Sequence, residues 1–394
     1  MKTSRRQLLK NGLLTMGGLT LTPHLSMGES WRSTPQFDRD GNALYSPFFK
    51  EYIDEDWKKP AKILAKLNAN ENPYGPSPKA LKAHMEGSAK GNRYAWRELF
   101  DLIDKIADKE GVKAENVMMG PGSSDLLEKT GMVLFMKGGN IVSADPAYMS
   151  MIRVAEAVGA SWKGVALSKD WSHDLDAMEK EIDANTKLVY VCNPNNPTGS
   201  WTDGKKLEAF CRRVSDKVPV FVDEAYMEFL PEDQQHSMVS LVAEGKNVIV
   251  ARTFSKIHGM AGLRVGYMVA LESTLQSIQA ITRGGMGISY PSVMAATASM
   301  DDVAFHKKSR RLNTEAREYT KGELIKMGFE PVPSVTSFMI FPIEMEGKAF
   351  LEKMKQQQVA VRAFDIMDRN WCRVSMGTMD EMKVFVSALG TVLS

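Results

Sequence analysis

Lys256 follows an apolar run, Asn247–Ala251, that passes through Arg252-Thr253-Phe254-Ser255 before reaching the amine. A lysine at the end of a buried strand is desolvated, and desolvation keeps an amine nucleophilic near neutral pH. Thr253 and Ser255 before it, and Arg264 eight residues after it, are side-chain donors suited to a phosphate. A second run, Val218–Val222, delivers Asp223-Glu224-Ala225-Tyr226. A carboxylate directly after a buried strand is costly unless paired, and a protonated ring nitrogen would pair it. A third run, Leu188–Cys192, enters Asn193-Pro194-Asn195-Asn196-Pro197-Thr198-Gly199. Its two prolines stiffen the loop and hold Asn196 at a strand terminus, where the amide can donate to an anionic oxygen.

Two other turns are compatible with the same chemistry. Gly120-Pro121-Gly122-Ser123-Ser124-Asp125 reads as a glycine turn opening into a Ser-capped helix, whose free N–H groups suit a phosphate. Many strand-to-helix turns share this pattern, so an ordinary turn fits it too. In Asp145-Pro146-Ala147-Tyr148 the aromatic ring either covers a flat ligand or packs the turn.

Positioning these residues requires an α/β sheet, because such sheets hold ligands at the carboxyl ends of their strands. The apolar runs Asn116–Met119, Asn140–Ser143, Leu188–Cys192, Val218–Val222, Asn247–Ala251 and Val265–Ala270 read as strands. Helical spacing at Ser123–Phe135, Tyr148–Val158 and Gly204–Val214 separates most of them. Short apolar strands alternating with helices predict a mostly parallel sheet. After about Tyr290 a charged helical stretch (Asp301–Met327), the segment Pro331–Pro342 and a closing helix (Asp380–Leu393) predict a smaller α+β domain. The expected organisation is a signal segment (1–28), a linker and arm (29–66), a large domain (67–290) and a small domain (291–394).

The composition is that of an ordinary globular chain: 394 residues, 43% hydrophobic and 25% charged, with a formal net charge of +2. So even a balance gives no support for nucleic-acid binding or a polybasic anchor. Cys192, Cys211 and Cys372 show no metal-binding or disulfide spacing and read as buried thiols. The first 28 residues contain no acidic side chain and open with Ser4-Arg5-Arg6-Gln7-Leu8-Leu9-Lys10. This order resembles a twin-arginine export signal and predicts a periplasmic protein. No clean cleavage site precedes Glu29, so the apolar segment could persist as a membrane tether.

Together, N-P-N-N-P-T-G (193–199), V-D-E-A-Y (222–226) and S-K-(x7)-R (255–264) resemble the class I/II aminotransferases of fold type I. The run from Leu67 to Pro78 (L-N-A-N-E-N-P-Y-G-P-S-P), Asn92-Arg93-Tyr94 and Arg373-Val374-Ser375-Met376-Gly377-Thr378 resemble the histidinol-phosphate branch in particular. The likeness runs from about Ala61 to Leu393. It implies pyridoxal 5′-phosphate (PLP) carried on Lys256, which also moves the substrate proton. It implies Asp223 at the ring nitrogen, Asn196 and Tyr226 at the ring hydroxyl, and Tyr148 on the ring face. Gly122, Ser123, Ser124, Thr253, Ser255 and Arg264 would cradle the phosphate, joined by Tyr94 from the neighbouring subunit of a homodimer. Arg373 would bind the substrate's anionic group, with Asn70 also at the substrate. Arg362 is either a second substrate-facing arginine or a surface charge. The implied reaction is ping-pong amino transfer to a 2-oxo acid such as 2-oxoglutarate.

Three departures bear on the substrate: Leu44-Tyr45-Ser46-Pro47 in place of a Pro-Tyr pair, Ala95-Trp96 after Tyr94 in place of proline, and Ser337 in place of asparagine. All three are expected near the substrate's distal end. With an export signal ill-suited to cytoplasmic histidine biosynthesis, they favour an amino acid or related amine over a phosphate ester. A decarboxylase, lyase or racemase would use the same lysine and electron sink. A non-catalytic binding module would be expected to lack the lysine or the carboxylate, and both are present.

Overall fold

The computed structural model describes residues 36–53 and 62–393, so the expected export segment, 1–28, lies outside the described residues. Seven strands form the larger sheet, in the spatial order Val117–Gly120, Gly266–Val269, Val248–Thr253, Val220–Asp223, Thr186–Cys192, Asn140–Asp145 and Ser161–Ala166. Gly266–Val269 is antiparallel to both neighbours and the remaining pairings are parallel. The α/β fold with a mostly parallel central sheet is therefore as expected.

The central strands are apolar on both sides because helices cover both faces. Val189, Val191, Val220, Val222, Val248 and Val250 enter one core. The alternating residues Leu188, Tyr190, Phe221, Ile249 and Ala251 enter the other. With each central strand pinned by its neighbours and by two cores, their carboxyl ends form a rigid platform.

The second sheet has six antiparallel strands, in the order Gln36–Phe37, Ala43–Ser46, Phe49–Glu51, Arg362–Ile366, Arg369–Ser375 and Phe338–Pro342. Half of it comes from the segment read as linker and arm. Phe49, Lys50 and Glu51 pair with Ile366, Asp365 and Phe364, which ties the N-terminal segment to strands over 300 residues later. A third core, including Leu67, Phe341, Phe350, Val374 and Phe385, packs this region.

Several local expectations shift. Ser161–Ala166 is a strand with no counterpart in the sequence reading; it is an edge strand, and only Val165 of it is buried. Tyr148 lies before the helix, which runs Ser150–Ala157. Ser123 does not cap its helix: Gly122 is the N-cap, with φ 91°, and makes no side-chain capping bond. The first-turn N–H groups of Ser123–Phe135 are therefore left for another acceptor. Among the described residues no helix is long and apolar enough to cross a membrane.

Candidate active site

Adjacent parallel strands deliver Tyr148, Asn196, Asp223 and Lys256 from their carboxyl ends into one cleft of about 760 Å³, which Ser123, Ser124, Thr253, Ser255, Arg264, Arg362, Arg373 and Asn70 also line. At its floor Lys256 Nζ donates to the Asn70 carbonyl at 3.1 Å. Burial, and next the positive charge of Arg373, bring the Lys256 amine down to about 8. A substantial fraction is then neutral at mildly alkaline pH, as a nucleophile or base requires.

Asn70 holds this arrangement from the side. Its backbone is left-handed, φ 53°, a region asparagine tolerates better than most residues. Its N–H donates to Ser375 Oγ and its Oδ1 accepts from the same hydroxyl, each at 2.8 Å. Its Nδ2 donates to the Tyr226 hydroxyl at 3.1 Å. The Tyr226 ring stands edge-on to Phe338, and burial pushes its pKa up, so it remains a phenol.

Asp223 is 3% exposed. It accepts from the Ala225 N–H at 3.1 Å and the Tyr190 hydroxyl at 3.4 Å, yet burial still raises it to about 6. A buried carboxylate held so high is under-compensated and suits a cationic partner such as a pyridinium. The opposite end of the cleft collects phosphate donors. Arg264 Nη1 donates to Ser255 Oγ at 3.3 Å and to the Ala261 carbonyl at 2.9 Å. Thr253 Oγ1 accepts from the Ser255 N–H at 3.1 Å. A methyl group on Gly122 would stand 2.1 Å from Arg264 Nη2, so only glycine leaves this end open. Tyr148 is anchored by its hydroxyl to Ser124 Oγ at 3.0 Å, beside the same helix terminus. A flat, cationic ring carrying a phosphate fits this donor set, and PLP is such a group.

The arginines differ. Arg373 is 5% exposed, donates from Nη1 to Asn196 Oδ1 at 2.7 Å and leaves Nε without a hydrogen-bond partner. Its guanidinium lies 5.3 Å from the ring centres of Phe338 and of Phe364. Burial and the nearby charge of Arg362 lower it to about 10, the behaviour of a cation short of counter-charge. Arg362, by contrast, is ion-paired with Glu51 and donates from Nε to the Asn68 carbonyl at 2.8 Å. Tyr94 does not reach the cleft of its own chain; it is 76% exposed, beside Trp96.

Two cleft residues escape sequence reasoning, Glu51 and Arg153, and they meet there Tyr45, whose segment was expected near the substrate's distal end. Glu51 pairs with Arg362 and accepts from the Tyr45 hydroxyl. Arg153 stacks on the Tyr45 ring at 4.2 Å, with Nε and Nη2 shut off from solvent. Nothing in the local sequence marks Glu51 or Arg153, the latter five residues after Tyr148 and so not at a same-face helical spacing from it. Of the three departures expected at the distal end, only Tyr45 lines the cleft. Ser337 is buried beneath a separate shallow depression with Tyr74 and Asn313, and Trp96 lies with Tyr94 at the surface.

The family model described as "Aminotransferase class I and II" matches residues 62–389. The chain is similar to a histidinol-phosphate aminotransferase of Moorella thermoacetica, 34% identical over 335 residues, covering 84% of this chain and 86% of the relative. It is also 34% identical to histidinol-phosphate aminotransferase 2 of Pseudomonas aeruginosa, covering 85% and 90%. A solved structure of the Sinorhizobium meliloti histidinol-phosphate aminotransferase in complex with pyridoxal-5′-phosphate superposes with TM-score 0.78 at 28% identity, covering 84% and 91%. The aspartate aminotransferase of Thermotoga maritima shares the fold, with TM-score 0.73 at 20% identity, covering 84% and 92%.

Proposed function

Because this chain belongs to the class I and II aminotransferases, we propose that its cleft moves an amino group between an amino acid or related amine and a 2-oxo acid, with Lys256 as the catalytic residue. The observation that carries the residue assignment is the convergence of Lys256, Asp223 and Arg373 on one cleft. PLP, when bound, supplies the carbonyl that holds the amine and the ring that delocalises charge from its α-carbon.

The chain's own residues do the rest. Asp223 keeps the ring nitrogen protonated, since its buried carboxylate gains most from that cation. Asn196 and Tyr226 would hold the ring hydroxyl, and Tyr148 would cover the ring. Gly122, Ser123, Ser124, Thr253, Ser255 and Arg264 hold the phosphate. Arg373 binds the substrate carboxylate and so orients the α-carbon toward Lys256. With PLP bound, the neutral Lys256 Nζ would take the substrate's α-proton and later hand it on, and its depressed pKa suits it to both roles.

The test is to incubate PLP-loaded protein with amino-acid pools and either pyruvate or 2-oxoglutarate. The native chain should form alanine or glutamate and Lys256→Ala neither. Carbon dioxide or ammonia without either product would overturn the reading.

The neighbouring subunit of a homodimer completes the phosphate site through Tyr94. An exposed apolar surface supports this: Trp96 and Phe100 lie one helical turn apart, near Tyr94 and Met286. A monomer by light scattering, fully active and PLP-loaded, would contradict it.

Export to the periplasm by the twin-arginine route is read from residues 1–28 alone. Replacing Arg5 and Arg6 by lysine should retain the protein in the cytoplasm; unchanged export would refute it. The relatives named for histidinol phosphate leave that donor as the competing choice.

A further inference from the structure

Glu51 enters the cleft from the Phe49–Glu51 strand, opposite Phe364 in register. It is 7% exposed and both carboxylate oxygens are taken, Oε1 by Arg362 and Oε2 by the Tyr45 hydroxyl. Arg362 also donates from Nε to the Asn68 carbonyl. A guanidinium grips an anion through a pair of nitrogens along one edge. With Nη1 on Glu51 and Nε on Asn68, neither edge of Arg362 keeps an uncommitted pair. A phosphate or carboxylate gripped there by a pair of nitrogens must either displace Glu51 and strand its buried charge, or break the Asn68 bond and sit beside the Glu51 carboxylate, and both are unfavourable. Among the described residues no carboxylate is ion-paired with Arg373, which remains available.

The surrounding wall is aromatic. Tyr45 and Phe49 lie 4.8 Å apart between centroids, and Phe49 and Phe364 5.8 Å. Arg153 braces the Tyr45 ring from 4.2 Å.

We propose that Glu51 is a specificity-determining residue: by occupying Arg362 it sets the cleft for amino and 2-oxo acids with a neutral, preferably apolar, distal end, and against those ending in phosphate or a second carboxylate. This rests on the amino-transfer reading above. The internal ion pair takes the place that a substrate's distal anion would fill, and Arg373 is left to hold the single α-carboxylate.

The test compares native protein with Glu51→Gln, both loaded with PLP. Relative kcat/KM is measured for pyruvate against 2-oxoglutarate, and for histidinol against its phosphate. Binding of glutarate and of butyrate, neither of which can react, is measured by calorimetry. The native chain should favour the member of each pair with the uncharged distal end. Glu51→Gln frees Arg362 and should shift both ratios, and the glutarate affinity, by about tenfold or more toward the anion. Should that variant fail to load PLP, Glu51→Asp, one methylene short of Arg362, should shift them the same way by less. Ratios and glutarate affinity unmoved in a folded variant would overturn the proposal, as would a native preference for the phosphate ester. If neither protein transfers an amino group, amino transfer itself has failed, while glutarate binding still reports on Glu51.

Discussion

The amine of Lys256 rests 3.1 Å from the main-chain carbonyl of Asn70, a residue whose backbone is left-handed and whose side chain also holds Tyr226. One residue from the segment before the large sheet thus fixes both a lysine and a phenol that two different strands deliver. Replacing Asn70 separates its two contributions. Asn70→Gly keeps the backbone, and with it the main-chain N–H bond to Ser375, at little conformational cost but removes the donor to Tyr226 and the side-chain acceptor of the Ser375 hydroxyl. It should lower kcat while changing the melting temperature little. Asn70→Val adds a β-branched side chain at positive φ and should cost about 1–2 kcal/mol or more of stability in addition. Thermal melts and steady-state rates on both variants check this; equal stability losses would mean the backbone conformation is immaterial.

Asp223 carries a pH signature. Burial raises its folded pKa to about 6, above an ordinary carboxylate value of 3.8. Because the folded value is the higher, its contribution to stability is full below about pH 4. That contribution is lost as pH rises through about 6, by roughly 3 kcal/mol for two units. A protonated ring nitrogen pairs the ionised carboxylate and reverses that loss. PLP should therefore raise the melting temperature more at about pH 7.5 than at about pH 5, and Asp223→Asn should flatten the difference. Scanning fluorimetry of apo and loaded protein reads it; identical behaviour of native chain and variant would count against the pairing.

Gly122→Ala forces a side chain onto φ 91° and a methyl carbon toward Arg264 Nη2. Displacing Arg264 weakens the phosphate site, so PLP should bind about tenfold or more weakly, equivalent to about 1.4 kcal/mol. A fluorescence titration measures this, and native affinity in the variant would remove Arg264 from the phosphate site.

Arg373→Ala should raise KM for amino acids by about 100-fold, the effect of losing a buried charge-assisted grip. Amines without a carboxylate should be turned over nearly as by the native chain. A uniform loss across both classes would mean that Arg373 shapes the cleft and does not bind the carboxylate.

Residues that follow a buried strand were legible in the sequence for a local reason. Asn196, Asp223 and Lys256 each sit where an apolar run stops, and the stop itself marks the carboxyl end of a strand. Glu51 and Tyr45 have no such marker. They reach the cleft only because Phe49–Glu51 pairs with Arg362–Ile366, a contact spanning more than 300 residues. Burial of Glu51 follows from that pairing and from Arg362, neither of which a polar N-terminal stretch announces. The edge strand Ser161–Ala166 was equally hidden, since a strand with one buried side chain shows no apolar run. Nor does an apolar run carry direction, so the antiparallel setting of Gly266–Val269 emerged only from its partners.

The central claim is that Lys256 serves amino transfer, and a single half-reaction tests it most directly. PLP-loaded protein is mixed with an amino acid that it accepts, with no 2-oxo acid present, and the products are counted per active site. Amino transfer predicts loss of the yellow colour, release of about one 2-oxo acid per site and then arrest, with the colour restored on adding a 2-oxo acid. Continued release of carbon dioxide or ammonia, with the colour retained, would contradict it.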